Sequence, residues 1–84
     1  MEIVKIVTFV PETHAHIVRE AIGNADGGRI GNYTHCTFSV KGVGRFKPGE
    51  GAHLAVGAIG RLESVQEEKI EFVCERMLAK KVME

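Results

Sequence analysis

Residues 2–10 read EIVKIVTFV, β-branched and apolar on both sides of a period-two alternation. Ile3, Val7 and Phe9 fall on one face, Val4, Ile6 and Val10 on the other. A strand apolar on both faces is either central, or covered by a helix on one side and by another subunit on the other. Pro11 ends this strand and suits a first helical turn, having no N–H to leave unpaired. Glu12 then sets negative charge near a helix start. The spacing of Ile17, Val18, Ala21 and Ile22 predicts a helix running to about Asn24, with Arg19 and Glu20 facing away and Gly23-Asn24 as its stop. Over residues 34–41 the period returns to two: Cys36, Phe38 and Val40 alternate with His35, Thr37, Ser39 and Lys41, the pattern of a half-buried strand. Lys47-Pro48-Gly49 reads as a turn, and residues 52–62 allow at most a short extended piece. Residues 67–74 alternate again, with Ile70, Phe72 and Cys74 against Glu71 and Val73. From Glu75 onward Met77, Leu78, Val82 and Met83 share a helical face, with Lys80 and Lys81 outside it.

The predicted order is strand, helix, strand, strand, helix, an α+β arrangement in one domain spanning 1–84. One further strand would complete a ferredoxin-like plait, and that final strand is missing from the pattern. With 84 residues the domain buries only about 60–65% of its unfolded surface. Its stability margin is correspondingly thin, and self-association is one remedy. Most of the ten glycines fall in residues 26–60, interspersed with Ile30, Tyr33, Phe38, Phe46, Leu54, Val56 and Ile59. That mixture is not a flexible linker; it predicts an ordered excursion punctuated by turns.

Charge narrows the choice of partners. Eleven Lys and Arg balance eleven Asp and Glu, so the chain lacks the basic excess of a nucleic-acid binder. Near-neutrality also leaves little repulsion between copies. No apolar run approaches the roughly 18 residues of a membrane span. Lys5 interrupts the early apolar run and Glu12 follows, which does not fit a signal peptide. The expectation is a cytoplasmic protein in which Cys36 and Cys74 are reduced thiols, with a single bridge as the alternative.

Four histidines and two cysteines raise the question of metal binding. His14 and His16 lie two apart near a helix start, about 200° around its axis, and cannot easily share one ion. His35 and Cys36 are strand neighbours and point to opposite sides. The run Gly27-Gly28-Arg29-Ile30-Gly31-Asn32-Tyr33 follows a helix and leads into a strand, the reverse of a phosphate loop, and has no Walker lysine. It suits a structured turn, or a small anion-binding nest with Arg29. Both cysteines fall on the apolar side of alternating strands, where a thiol is inert. Glu63, Glu67, Glu68 and Glu71 read as a solvated strand face. Glu50, between glycines after a turn, is placed to accept backbone N–H bonds.

Taken in order, Gly28-Arg29-Ile30-Gly31-Asn32-Tyr33, His35-Cys36, Phe38-Ser39, Gly42, Gly44, Phe46-Lys47-Pro48, Glu50-Gly51-Ala52, Ile59-Gly60 and Glu63 form a distinctive series of spaced positions. Val10-Pro11-Glu12-x-His14 precedes it and Glu68-x-Ile70-Glu71 follows. The series resembles the inserted domain of the Nif-three-like (NGG-interacting-factor) family, often described as dinuclear-metal-centre or GTP-cyclohydrolase-like proteins. The resemblance implies a PII/CutA-like ferredoxin plait that associates in threes through its sheets, found also as a stand-alone module. The family's metal ligands lie in flanking halves, so no cofactor is carried over. Two departures stand out. An Asn-Pro pair that commonly follows Glu-Gly-Ala is His53-Leu54 here. The family also continues through a His-Pro-Tyr-Glu-Glu segment into a last strand, whereas this chain stops inside the second helix, as a naturally short or a truncated module.

The resulting expectation is a non-enzymatic module that forms homo-oligomers, with a trimer favoured, and binds a small ligand or a partner protein. Nucleic acid and membrane are not expected as partners. The candidate ligand-binding residues are Arg29, Asn32, Tyr33, His35, Glu50 and His53. One alternative is copper or zinc binding through His35 and Cys36, aided by His14 or His53. Another is a nucleotide-hydrolysing enzyme of the kind named for the larger family.

Overall fold

A computed structural model describes residues 2–51 and 58–83. Its elements run in the order β1 (Ile3–Pro11), α1 (Ala15–Asn24), β2 (Phe38–Phe46), β3 (Glu63–Glu75) and α2 (Ala79–Met83), with 3-10 turns at Glu12–His14 and Arg76–Leu78 leading into the two helices. The fold is α+β. The three strands form an antiparallel sheet in the order β1-β3-β2. β1 is therefore an edge strand among the described residues, not a central one.

Side chains facing one side of the sheet meet the helices. Val10, Ala15, Ile22, Ile70, Phe72 and Cys74 are buried there, with Val4, Ile6, Val18, Ala79 and Val82 packed around them. The expected alternation of Ile70, Phe72 and Cys74 holds, and Ile70 is fully enclosed. β3 itself is longer than its hydrophobic pattern, starting at Glu63. β2 begins at Phe38 rather than residue 34 and runs on through Gly42 and Gly44, which the alternation alone does not reveal. The β1–β3 pairing ends at Pro11 and Glu67. Beyond that point Glu63–Gln66 pair only with Val43–Phe46, as a two-stranded arm. The molecule is accordingly elongated, 47 × 23 × 17 Å.

Several details differ from the sequence expectation. The helical stripe uses Ala15, Val18 and Ile22, while Ile17 and Ala21 are exposed. Arg19 does not face away: its Nη1 donates to Glu68 Oε1 at 2.6 Å. Glu68 does not lie on a solvated face either. It is 7% exposed, on the core side of β3, one row from Ile70. A carboxylate this enclosed needs a partner, and the guanidinium from α1 supplies it. Lys41 Nζ reaches Glu12 Oε1 at 3.2 Å, tying the 3-10 turn to β2. α1 ends at Asn24, and the reversal falls on Asp26, with a φ of 71°, rather than on Gly23. Gly28 completes it at a φ of 76°, and a Cβ there would strike the Cys36 carbonyl, so glycine is required twice over. α2 is short, and its face is Ala79 and Val82; Met77 (84% exposed) and Met83 turn out to solvent.

The Arg19–Glu68 pair yields a stability test. Glu68→Ala is expected to destabilise by about 1–3 kcal/mol, since it leaves a half-enclosed guanidinium unpaired. Glu20→Ala, one position along α1 but exposed, stays within about 0.5 kcal/mol. Urea midpoints of the two variants check this.

Candidate functional site

The tip between α1 and β2 gathers four of the predicted site residues. Ile30 and Tyr33 exchange backbone hydrogen bonds of 3.0 and 2.9 Å, closing a tight turn over Gly31 and Asn32. Arg29, Asn32, Tyr33 and His35 are all exposed on it. The turn is sewn to the sheet where β2 has not yet begun: Gly28 N–H donates to the Val73 carbonyl (2.8 Å), and Cys36 N–H donates to the Gly28 carbonyl (2.9 Å). Glu50 is not part of this cluster. It lies past the other end of β2, roughly 30 Å away along nine extended residues. His53 falls outside the described residues.

Arg29 lines a cleft of about 470 Å³ whose apolar wall is Ile3, Ile30, Val73 and Leu78. Asp26 and Glu75 share the cleft, and Asp26 Oδ2 accepts from Lys81 Nζ at 3.2 Å. With Asp26 paired to Lys81, Arg29 stands against Glu75 and the cleft has no net positive field, so the geometry favours a ligand with an apolar body over a simple anion. Ile3, Val73 and Leu78 carry no sequence signal for this role, because ordinary strand and helix patterning accounts for them.

His35 takes a left-handed backbone, φ 58°. Its ring packs flat on α1 at Gly23, where any Cβ would collide with it. Nδ1 lies 3.1 Å from Thr34 Oγ1 and Nε2 lies 3.2 Å from Asn24 Oδ1. The imidazole thus latches the turn to the end of α1. Cys36 is half-buried in the segment before β2, not on a strand, and its thiol points to the Thr34 carbonyl at 3.8 Å. Among the described residues no three His, Cys, Asp or Glu side chains are grouped to hold a metal ion. Both cysteines are free, and burial pushes the Cys74 thiol above its ordinary value, away from the thiolate a nucleophile needs.

The second surface is the sheet face opposite the helices, which no described element covers. Its rows run Ile3–Glu75, Lys5–Val73, Val7–Glu71–Phe38, Phe9–Lys69–Val40 and Pro11–Glu67–Gly42. Phe9 (62% exposed), Phe38 (63%), Val40, Val7 and Ile3 stand in solvent on it. The apolar set of β2 therefore points to this face, not into the core. Down its centre Lys69 and Lys5 bracket Glu71, with Nζ to carboxylate distances of 3.0 and 3.1 Å. Hydrogen bonds from Lys69, then Lys5, hold the Glu71 carboxyl below the ordinary carboxylate value.

Two measurements follow. In the native protein, a thiol reagent should modify Cys36 well before Cys74, which reacts at full rate only on unfolding. An NMR titration should place the Glu71 carboxyl low, returning toward ordinary on Lys69→Ala. Because its folded value is depressed, Glu71 adds stability above its unfolded pKa and loses it as pH falls through the lowered one, so the effect sits on the acid limb.

No protein-family model matches the chain. It is 55% identical over 69 residues to a "GTP cyclohydrolase 1 type 2 homolog" of Halalkalibacterium halodurans, covering 82% of this chain and 18% of that protein. A protein of the same name from Bacillus subtilis is 43% identical over 79 residues, covering 94% of this chain and 21% of the relative. Among solved structures, a Bacillus cereus protein related to NIF3 superposes with a TM-score of 0.84 at 49% identity, over 98% of this chain and 20% of that one. The chain spans about a fifth of the length of these relatives. No helix among the described residues is long and apolar enough to cross a membrane. With identity near one half over almost its whole length and a matching fold, this chain is a Nif-three-like domain, as the spaced glycines and the Arg29–Tyr33 turn imply.

Proposed function

We propose that this domain is a non-enzymatic, self-associating module of the PII/CutA-like, ferredoxin-plait kind, working in the cytoplasm by binding a small ligand or a partner protein. The observation that carries the reading is the uncovered sheet face. The two outer strands present Ile3, Val7 and Phe9 of β1 and Phe38 and Val40 of β2 to solvent on either side of the Lys5–Glu71–Lys69 ladder, exposed apolar side chains of the sort that mark an interaction site. The zero formal net charge opposes no association of like copies. The strand order, with β1 at an edge, supports the plait, and the resemblance to PII/CutA-like modules favours three copies. The Arg29 cleft, bounded by Ile3 and Val73 of the same sheet face, is the natural seat for a small ligand. The cyclohydrolase name belongs to relatives some five times longer, and burial of the Cys74 thiol, which raises its pKa, speaks against a nucleophilic role for that residue.

Light scattering coupled to gel filtration tests this. A mass that is a multiple of 9.2 kDa across micromolar concentrations, reduced by Phe9→Asp with the circular dichroism unchanged, is the expected result. A constant 9.2 kDa overturns the reading.

A further inference from the structure

β2 carries two glycines in its interior, and both lie on the uncovered face. Glycine weakens a strand, since it gives up cross-strand contacts and loses more backbone entropy than other residues. Gly44 has an internal reason: the Glu67 carboxylate lies over it, where a Cβ would sit. Gly42 has none. Its φ is not in the left-handed region, and a Cβ built there meets no atom within 4 Å. Among the described residues, nothing requires position 42 to be bare.

The space above it has a shape. Gly42 and Gly44 form the floor of a hollow of about 250 Å³, walled by Phe9, Val40, Glu67 and Lys69. Beside it on the same face stand the exposed rings of Phe9 and Phe38. One surface thus offers a hollow of side-chain size and aromatic side chains that protrude. Charges of both signs stand on this face, Lys5 and Lys69 among Glu67, Glu71 and Glu75, and both lysines are paired to Glu71, so no one-signed field calls for a strongly basic or acidic partner. A surface with knob and hollow together, on a chain of zero formal net charge, fits another copy of itself. In a closed ring each copy gives its knob to one neighbour and its hollow to the other.

We infer that Gly42 is kept bare so that an aromatic side chain of a second copy of this chain can seat against β2, making Gly42 the position that sets how closely copies approach. The inference rests on the self-association reading above and names the contact that decides it. Filling the hollow leaves the isolated fold unharmed, because the open space accepts a side chain and a β-branched residue suits a strand. The clash arises only between copies.

The test compares the unaltered chain with Gly42→Val, Gly42→Ala and Arg45→Val by light scattering over a dilution series, with circular dichroism as the check on folding. Arg45 is exposed on the same strand and alternates to its other face. The expected result is a native spectrum for all, dissociation about tenfold to a hundredfold easier for Gly42→Val, a smaller loss for Gly42→Ala, and none for Arg45→Val. An unaltered chain that is assembled, together with a folded Gly42→Val that assembles equally well, overturns this inference and leaves the self-association reading standing. An unaltered chain that is monomeric throughout overturns both. Should Gly42→Val lose its native spectrum, the premise that the space is open in the isolated fold is wrong and the inference falls, unless folded Gly42→Ala shows the predicted weakening.

Discussion

Everything in this domain hangs on β3. It is the strand that pairs on both sides, with β1 at one edge and β2 at the other. Because side chains alternate with a period of two, the register of β3 decides which residues of all three strands face the helices and which face away. Ile70, Phe72 and Cys74 set the inner rows, drawing Val4, Ile6 and Val10 with them. The outer rows follow by necessity, which is why Phe9, Lys69 and Val40 lie side by side. A slip of one residue would bury the Lys5–Glu71–Lys69 ladder and expose the core.

Within that frame α1 is held by chemistry as well as by apolar contact. Only part of its face is greasy, and the Arg19–Glu68 bond anchors it to the central strand across 49 residues of sequence. The aromatic and β-branched residues left outside are the counterpart of this economy. One ten-residue helix and a short second one cannot cover two faces of a sheet. The domain therefore packs its core on one side and leaves the other uncovered by any described element, which links its small size to the association proposed for it.

Much of the fold was legible from periodicity. The first and third strands, the helix end at Asn24 and the Ile70–Phe72–Cys74 core all follow from local pattern. What was not legible depends on long-range partners. Glu68 looks solvated because it is a carboxylate among carboxylates; only the arrival of Arg19 makes its burial tolerable. Phe38 and Val40 alternate correctly, but a period of two does not say which face will be covered. Tyr33, Arg29, Asn32 and His35 were readable as a group because they are neighbours in sequence, whereas the Ile3–Val73–Leu78 wall of the cleft joins the start of β1 to the far end of the chain. Glu50 was grouped with them through shared glycine context, and an extended strand separates it from them.

The arm formed by Glu63–Gln66 and Val43–Phe46 gives β3 two mechanical halves. From Glu67 onward the strand is clamped between neighbours and backed by the core. Before that point it is a two-stranded ribbon, a unit of marginal stability in water by itself. The two halves of one strand are thus expected to differ in local stability, with hydrogen-exchange protection highest from Glu67 onward and lower over Glu63–Gln66.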